Sequence, residues 1–324
     1  MNSSDIYQYL APELGQVEAE LHRQADSNVK LIQKIGHYLQ ESGGKRIRPA
    51  ILLLSAKLSG YEGPEAIKLA AVIELIHTAT LVHDDIIDGA DLRRGRASVN
   101  SKWGNEITVL MGDWLYMTSF SLALGDRNFK ILELLMDVTR KMVEGELMQL
   151  EHNGSFEVTE SVHLEISRRK TAFLFSACSQ MGGILGNLNG PLIKSLDSYG
   201  QNIGMAFQLK DDLLDFTSDT ATLGKPIVSD LREGKLTLPL IYLLELGCPD
   251  HQDKLLAAIQ ENGHCNNAKM EVLKLVREHK TLDRAWIKAL SYAEAAKADL
   301  LAFPSSTARS ALHSIADFIV QRDR

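Results

Sequence analysis

Between Pro64 and Pro191 the chain contains no proline. Proline lacks an amide donor and its ring clashes with the preceding helical turn, so a stretch this long without one can hold several helices free of kinks. Apolar residues within it recur at helical spacing. In "FKILELLMDVTRKMVEGELMQL", residues 129–150, Ile131, Leu135, Val138 and Met142 mark one face, while Glu133, Asp137 and Lys141 keep to another. Strand-like alternation flanked by turn dipeptides is nearly absent. The pattern predicts an all-α fold, with further helices over 7–40, 49–59, 64–88, 104–124, 159–186, 192–217, 235–246 and 268–299. Breaks such as "ESGGKRIRP", "DGADLRRGRAS" and "TATLGKPIVSDLREGK" punctuate them, and none is long or biased enough to be an interdomain linker. Residues 1–324 therefore read as a single domain, with 45% hydrophobic residues to supply its core.

The net charge of −7 argues against a general nucleic-acid binder, which needs a broad basic surface. The opening "MNSSDIYQYLAPELGQ" has no basic region followed by an apolar run, so it does not read as a signal peptide. The longest apolar tract, "LAAVIELIHTATLV", is interrupted by Glu74 and His77 and is not expected to span a bilayer. Cys178, Cys248 and Cys265 are odd in number and widely spread, which suits free thiols in a reducing cytoplasm. They also lack the spacing of metal ligands.

Against this background "LVHDDIIDGADLRRG", residues 81–95, stands out. On a helix over 64–88, Asp84 and Asp88 are related by i,i+4 and Asp85 and Asp88 by i,i+3, so all three share one face near the helix end. Carboxylates placed there repel one another and oppose the helix dipole, which calls for positive charge nearby. A solvated acidic helix end would explain one such cluster. A second, "AFQLKDDLLDF", sets Asp211, Asp212 and Asp215 at the same spacing on another apolar helix. If the two helices face each other, their carboxylates form the oxygen donor set that Mg²⁺ prefers, and Mg²⁺ commonly shares its sphere with phosphate oxygens.

The expected ligand is therefore phosphorylated and held through metal. Basic residues cluster accordingly: Lys45, Arg46 and Arg48 in "GGKRIRP", Arg93, Arg94 and Arg96 in "LRRGR", Arg168, Arg169 and Lys170 in "SRRKT", then Lys225 and Lys235. Arginine forks and lysine ammoniums are the usual direct ligands of phosphate. Any one basic run is more often a solvated face, and Arg46 and Arg96 are left with that reading. His77, taken alone, reads as a satisfied buried histidine.

In order and spacing, "GGKRIRP", "HTATLVHDDIID", "LRRG", "GE" with Gln149, "KT" at Lys170 and Thr171, and "FQLKDDLLDF" followed by "LGK" and "EGK" resemble the trans-polyprenyl diphosphate synthases over nearly the whole chain. Within that family the sequence is most similar to the long-chain type that makes quinone side chains. The resemblance implies a helical bundle of the isoprenoid synthase type, with a central cavity and the two aspartate motifs facing each other. The implied reaction is head-to-tail condensation of isopentenyl diphosphate with an allylic diphosphate such as farnesyl diphosphate. By resemblance, Asp84, Asp85 and Asp88 bind Mg²⁺ on one side of the allylic diphosphate, and Asp211, Asp212 and Asp215 on the other. Arg93, Lys170 and Lys225 match positions that contact this diphosphate, with Lys235 a further substrate-binding candidate. Lys45, Arg48, His77 and Arg94 match the site for isopentenyl diphosphate, and Thr171 and Gln208 lie near the reacting carbons.

The family also implies a homodimer, and peripheral membrane contact when a long apolar product leaves. Ala79 and Thr80, one turn before Asp84, are small enough to leave a product tunnel open, with its floor expected around Leu135 and Met136 on a facing helix. The expected product is octaprenyl diphosphate. Three alternatives are carried: a geranylgeranyl or other shorter-chain synthase, a class I terpene cyclase, and an inactive subunit of a heteromeric synthase. A cyclase should carry a different second metal motif, and an inactive subunit should have lost carboxylates or arginines that are present here.

Overall fold

A computed structural model describes residues 3–41, 43–217, 229–260 and 266–322. Lys225 and Cys265 lie outside them. The elements are α1 (Ser3–Tyr9), α2 (Ala11–Ala25), α3 (Lys30–Gln40), α4 (Ile47–Leu58), α5 (Glu65–Ile87), β1 (Leu92–Arg93), β2 (Arg96–Ala97), α6 (Val99–Trp103), α7 (Asn105–Leu124), α8 (Phe129–His152) and α9 (Glu160–Ser167). A single π-helical turn, Arg168–Ala172, leads into α10 (Phe173–Leu185) and α11 (Gly190–Thr217). The chain continues through α12 (Ser229–Arg232), α13 (Leu238–Leu244), α14 (Pro249–Gln260), α15 (Asn266–Glu278), α16 (Thr281–Asp299) and α17 (Thr307–Gln321). Among the described residues the fold is all-α apart from one short antiparallel pair. There Leu92 faces Ala97 and Arg93 faces Arg96, and both turn residues, Arg94 and Gly95, have left-handed backbone, the geometry of a tight hairpin.

The described residues group into two compact units, one drawn from Met1–Thr139, Leu174–Gly200 and Asp299–Ile315, the other from Arg140–Phe173, Gln201–Ala298 and Ala316–Arg324. In the first, α5 is apolar almost all round and is buried accordingly: Leu69, Val72, Ile73, Ile76, Ala79 and Val82 are inaccessible, and its packing neighbours include α7, α4 and α2. The α5–α7 crossing is close. At Gly112 of α7 a side-chain carbon would fall 2.2 Å from His83 Nε2, so only glycine admits that ring. In the second unit, Leu209, Leu213 and Phe216 of α11 pack into a core with Leu240, Ile241 and Leu243 of α13 and with Val272 and Val276 of α15.

Several expected helices are divided or displaced. The segment expected over 7–40 falls across three helices, because Leu10 separates α1 from α2 and the extended Asp26 ends α2. The segment over 268–299 breaks before Thr281, where Lys280 has φ 54°. The one over 235–246 starts at Leu238, since Thr237 is extended and Pro239 belongs in a first turn. Helices α14 and α17 were not expected, although α17 buries Ala311, Leu312, Ile315, Ala316 and Ile319 on one face. By length and composition α5 and α7 could each cross a membrane, contrary to the reading of the longest apolar tract, but 61% of the apolar window of α5 is buried.

Candidate active site

In the first unit, Asp84, Asp85 and Asp88 fall at the C-terminal end of α5, where helix carbonyls run out of partners and the dipole is negative. The chain then folds back through the hairpin and brings Arg93 with it: Arg93 Nε donates to Asp85 Oδ1 at 2.6 Å, and Asp85 is only 2% exposed. Asn100 Nδ2 donates to the Asp85 carbonyl at 3.2 Å. Burial, and then the charge of Asp84, push the Tyr116 hydroxyl of α7 up to about 12, so that it stays protonated as a donor. The positive charge anticipated beside the first cluster is thus Arg93.

Next to it lies a pocket whose wall includes Arg46, Glu74, His77, Asp85, Arg93 and Arg94. The His77 imidazole is held well below its usual pKa, first by burial and then by the charges of Arg48, Arg94, Arg93 and Arg46. A neutral imidazole among guanidinium groups makes a surface that attracts an anion. Arg94 Nη1 donates to the Gly43 carbonyl, tying the hairpin to the basic loop, and the Arg48 guanidinium lies 4.6 Å over the Phe175 ring. Lys45 is exposed on that loop.

In the second unit, Lys170 and Thr171 sit in the π-helical turn, a distortion that re-aims side chains and often marks functional positions. Lys170 Nζ pairs with Glu146 Oε2 at 2.5 Å. Thr171 Oγ1 donates to Gln208 Oε1 at 2.6 Å, and Gln208 Nε2 donates in turn to Asp212 Oδ1 at 2.9 Å. The other oxygen of Asp212 meets His163 Nε2 at 3.0 Å. Asp215 accepts from the Ser229 amide and hydroxyl at 3.0 and 2.8 Å and from the Asp230 amide at 3.2 Å. Asp211 pairs with Arg322 Nη2 at 2.5 Å, and that guanidinium stacks 3.8 Å over Phe207. Lys235 pairs with Glu233 at 2.6 Å. Each carboxylate of this cluster is therefore oriented by a named donor.

The polyprenyl synthetase family model matches residues 29–276. The chain belongs to that family. It is 39% identical over 324 residues to octaprenyl diphosphate synthase of Escherichia coli (strain K12), covering 100% of both chains. It is 35% identical to geranylgeranyl diphosphate synthase of Saccharolobus solfataricus, covering 99% of each. Among solved structures, a polyprenyl synthase from Caulobacter crescentus CB15 complexed with calcium and isoprenyl diphosphate superposes with a TM-score of 0.95 at 36% identity, covering 100% of this chain and 98% of that one. This polyprenyl synthetase is a prenyltransferase.

The donor set suits a divalent cation, because both clusters offer hard carboxylate oxygens. Burial pushes the Asp215 carboxyl above its ordinary range, Asp212 adds to the push, and the Ser229 donors only partly offset it. Such a group is short of positive charge. Among the described residues no three acidic, histidine or cysteine side chains converge as a preformed cage.

Some residues of this polyprenyl synthetase escaped the sequence reading. His163, Ser229 and Arg322 have no motif around them that announces a partner, and their roles come from contacts up to 111 positions away. One expectation is corrected. Arg46 is no solvated residue, since its side chain is 15% exposed between Glu18 and Glu74. Of the two residues expected at the tunnel floor, Leu135 is inaccessible and Met136 is 62% exposed in the single chain.

Proposed function

We propose that this synthetase is a long-chain trans-prenyl diphosphate synthase that uses Mg²⁺ to condense isopentenyl diphosphate onto an allylic diphosphate such as farnesyl diphosphate. The observation that carries the reading is the organisation of charge. Each aspartate cluster is pre-oriented by protein donors, and beside the first lies a pocket walled by arginines and a neutral histidine. Mg²⁺, when bound, supplies charge stabilisation at the oxygens of the departing diphosphate. Arg93 and Lys170 add positive charge of their own to the allylic diphosphate. Lys45, Arg48, His77 and Arg94 hold isopentenyl diphosphate so that its double bond attacks the allylic carbon as the carbon–oxygen bond breaks. The hydroxyl of Thr171 and the amide of Gln208, fixed by their mutual hydrogen bond, turn dipoles toward the transient cation. Loss of a proton to the released diphosphate then restores a longer allylic diphosphate. Apolar helix faces keep water from capturing the cation.

An octaprenyl product is supported by the similarity to octaprenyl diphosphate synthases and by the small side chain of Ala79 one turn before the first cluster, which adds little bulk along the chain's path. The whole chain acts as one catalytic domain and, in this reading, as a homodimer in the cytoplasm, with the finished chain passed to a membrane. A second copy is supported by exposed apolar residues at heptad spacing, Leu110, Met117 and Leu124 on α7 and Phe129, Met136 and Val143 on α8. The test is incubation of the purified protein alone with Mg²⁺, farnesyl diphosphate and labelled isopentenyl diphosphate. A linear octaprenyl chain is expected, and turnover should fall by orders of magnitude in Asp84→Ala and Asp211→Ala proteins that keep their helical circular dichroism. A cyclic hydrocarbon, or no turnover without a partner subunit, overturns the reading.

A further inference from the structure

Arg46 opens α4 with φ 49°, a left-handed backbone seldom adopted by a side chain of this size. Its guanidinium turns toward two carboxylates. Nε and Nη2 reach the two oxygens of Glu18 at 2.5 and 3.1 Å, and Nη1 reaches Glu74 Oε2 at 3.0 Å. Three of its five N–H donors are therefore held by acids. The Glu74 side chain is 7% exposed and lies three residues before His77, on the same face of α5 and on the wall of the same pocket as His77, Arg93 and Arg94. Unscreened, that carboxylate would repel any anion entering beside it. The loop backbone admits the guanidinium closely: a side-chain carbon on Gly44 would sit 3.4 Å from Arg46 Nη1 and 3.3 Å from Arg94 Nη1.

We propose that Arg46 is a positioning residue for isopentenyl diphosphate: it neutralises Glu74 and anchors the loop of Lys45 and the start of α4, which carries Arg48, to α2 and α5. This rests on the reading in which that pocket takes isopentenyl diphosphate. Arg46 touches no substrate, and its effect passes through Glu74 and the loop. Removing its charge leaves the Glu74 carboxylate unneutralised on the pocket wall where the diphosphate binds, and removing the Glu74 charge as well cancels most of the harm.

The experiment is isothermal titration with isopentenyl diphosphate alone, which cannot turn over without an allylic partner, on wild type, Arg46→Gln, Glu74→Gln and the double variant. Arg46→Gln should weaken the Kd about tenfold, and adding Glu74→Gln should recover most of that loss. Glu74→Gln alone keeps an acceptor for Arg46 and should bind no more weakly than wild type. A double variant no better than Arg46→Gln overturns the proposal. So does weakened binding by Glu74→Gln alone, a measurement that stands even if Arg46→Gln does not fold. If the loss and its suppression appear instead in the KM for farnesyl diphosphate, the neutralising role holds and the assignment of the pocket to isopentenyl diphosphate falls.

Discussion

Gly145 of α8 lies against the π-helical turn that carries Lys170, and replacing it with alanine isolates the contribution of that turn. The added carbon would sit 2.6 Å from Arg169 Cβ, 2.8 Å from the Lys170 amide nitrogen and 3.1 Å from the Arg169 carbonyl carbon. The first two distances fall about 0.6–0.8 Å short of the 3.4 Å at which ordinary contact begins. Two of the three atoms are backbone, so relief requires the turn to move as a body. Overpacking of this kind costs about 1–3 kcal/mol, and the better helix propensity of alanine returns roughly 0.5–1 kcal/mol. The melting temperature should therefore drop by only roughly 2–6 °C. Catalysis should suffer more, because a misplacement near 1 Å at a reacting group can cost on the order of a hundredfold. The expected kcat loss is about tenfold to a hundredfold in single-turnover condensation of farnesyl and isopentenyl diphosphates. Gly15→Ala in α2, where nothing lies within 4 Å of the added carbon, is the control: it should raise the melting temperature slightly and leave kcat alone. A Gly145→Ala enzyme whose kcat stays within about twofold of wild type would refute the claim that the π turn sets the position of Lys170.

Three other outcomes are expected. Because the folded-state pKa of His77 lies below its unfolded value, the unfolded chain binds more protons between the two, so stability should fall as pH drops below about 6.5. Urea unfolding at several pH values should show this slope reduced in His77→Gln, and an unchanged slope would sink the assignment. Ala79→Tyr puts a ring one turn before the first cluster, across the path proposed for the growing chain, and should shorten the product to farnesyl or geranylgeranyl length by reverse-phase chromatography. A wild-type product that already ends at geranylgeranyl would show that Ala79 does not open the path. Met117→Lys, on the exposed stripe of α7, should shift light scattering from dimer toward monomer, and a variant that stays fully dimeric contradicts pairing through that stripe.

Helical periodicity and the i,i+3 and i,i+4 geometry of both aspartate clusters are properties of the local chain, and they were legible without a structure. The bounds of α4, α5, α7 and α11 follow the expected segments to within two residues for that reason. The breaks at Asp26 and Lys280 were not legible, because an amphipathic pattern continues across a turn as readily as through a helix. Nor was the identity of each carboxylate's partner. Asp85 takes Arg93 from the adjoining hairpin, but Asp212 takes His163 from 49 positions away and Asp211 takes Arg322 from 111. Arg46 shows the limit most clearly. In sequence it is one more cation in a basic loop, and its acids stand 28 positions to either side. Leu135 and Met136, adjacent and similarly apolar, ended up one inaccessible and one mostly in solvent. Sequence alone determined which segments coil and where acids and bases concentrate, since those depend on neighbours along the chain. Only the packed structure decided which charges are neutralised and which face the pocket, since burial and hydrogen bonding depend on residues that folding brings together.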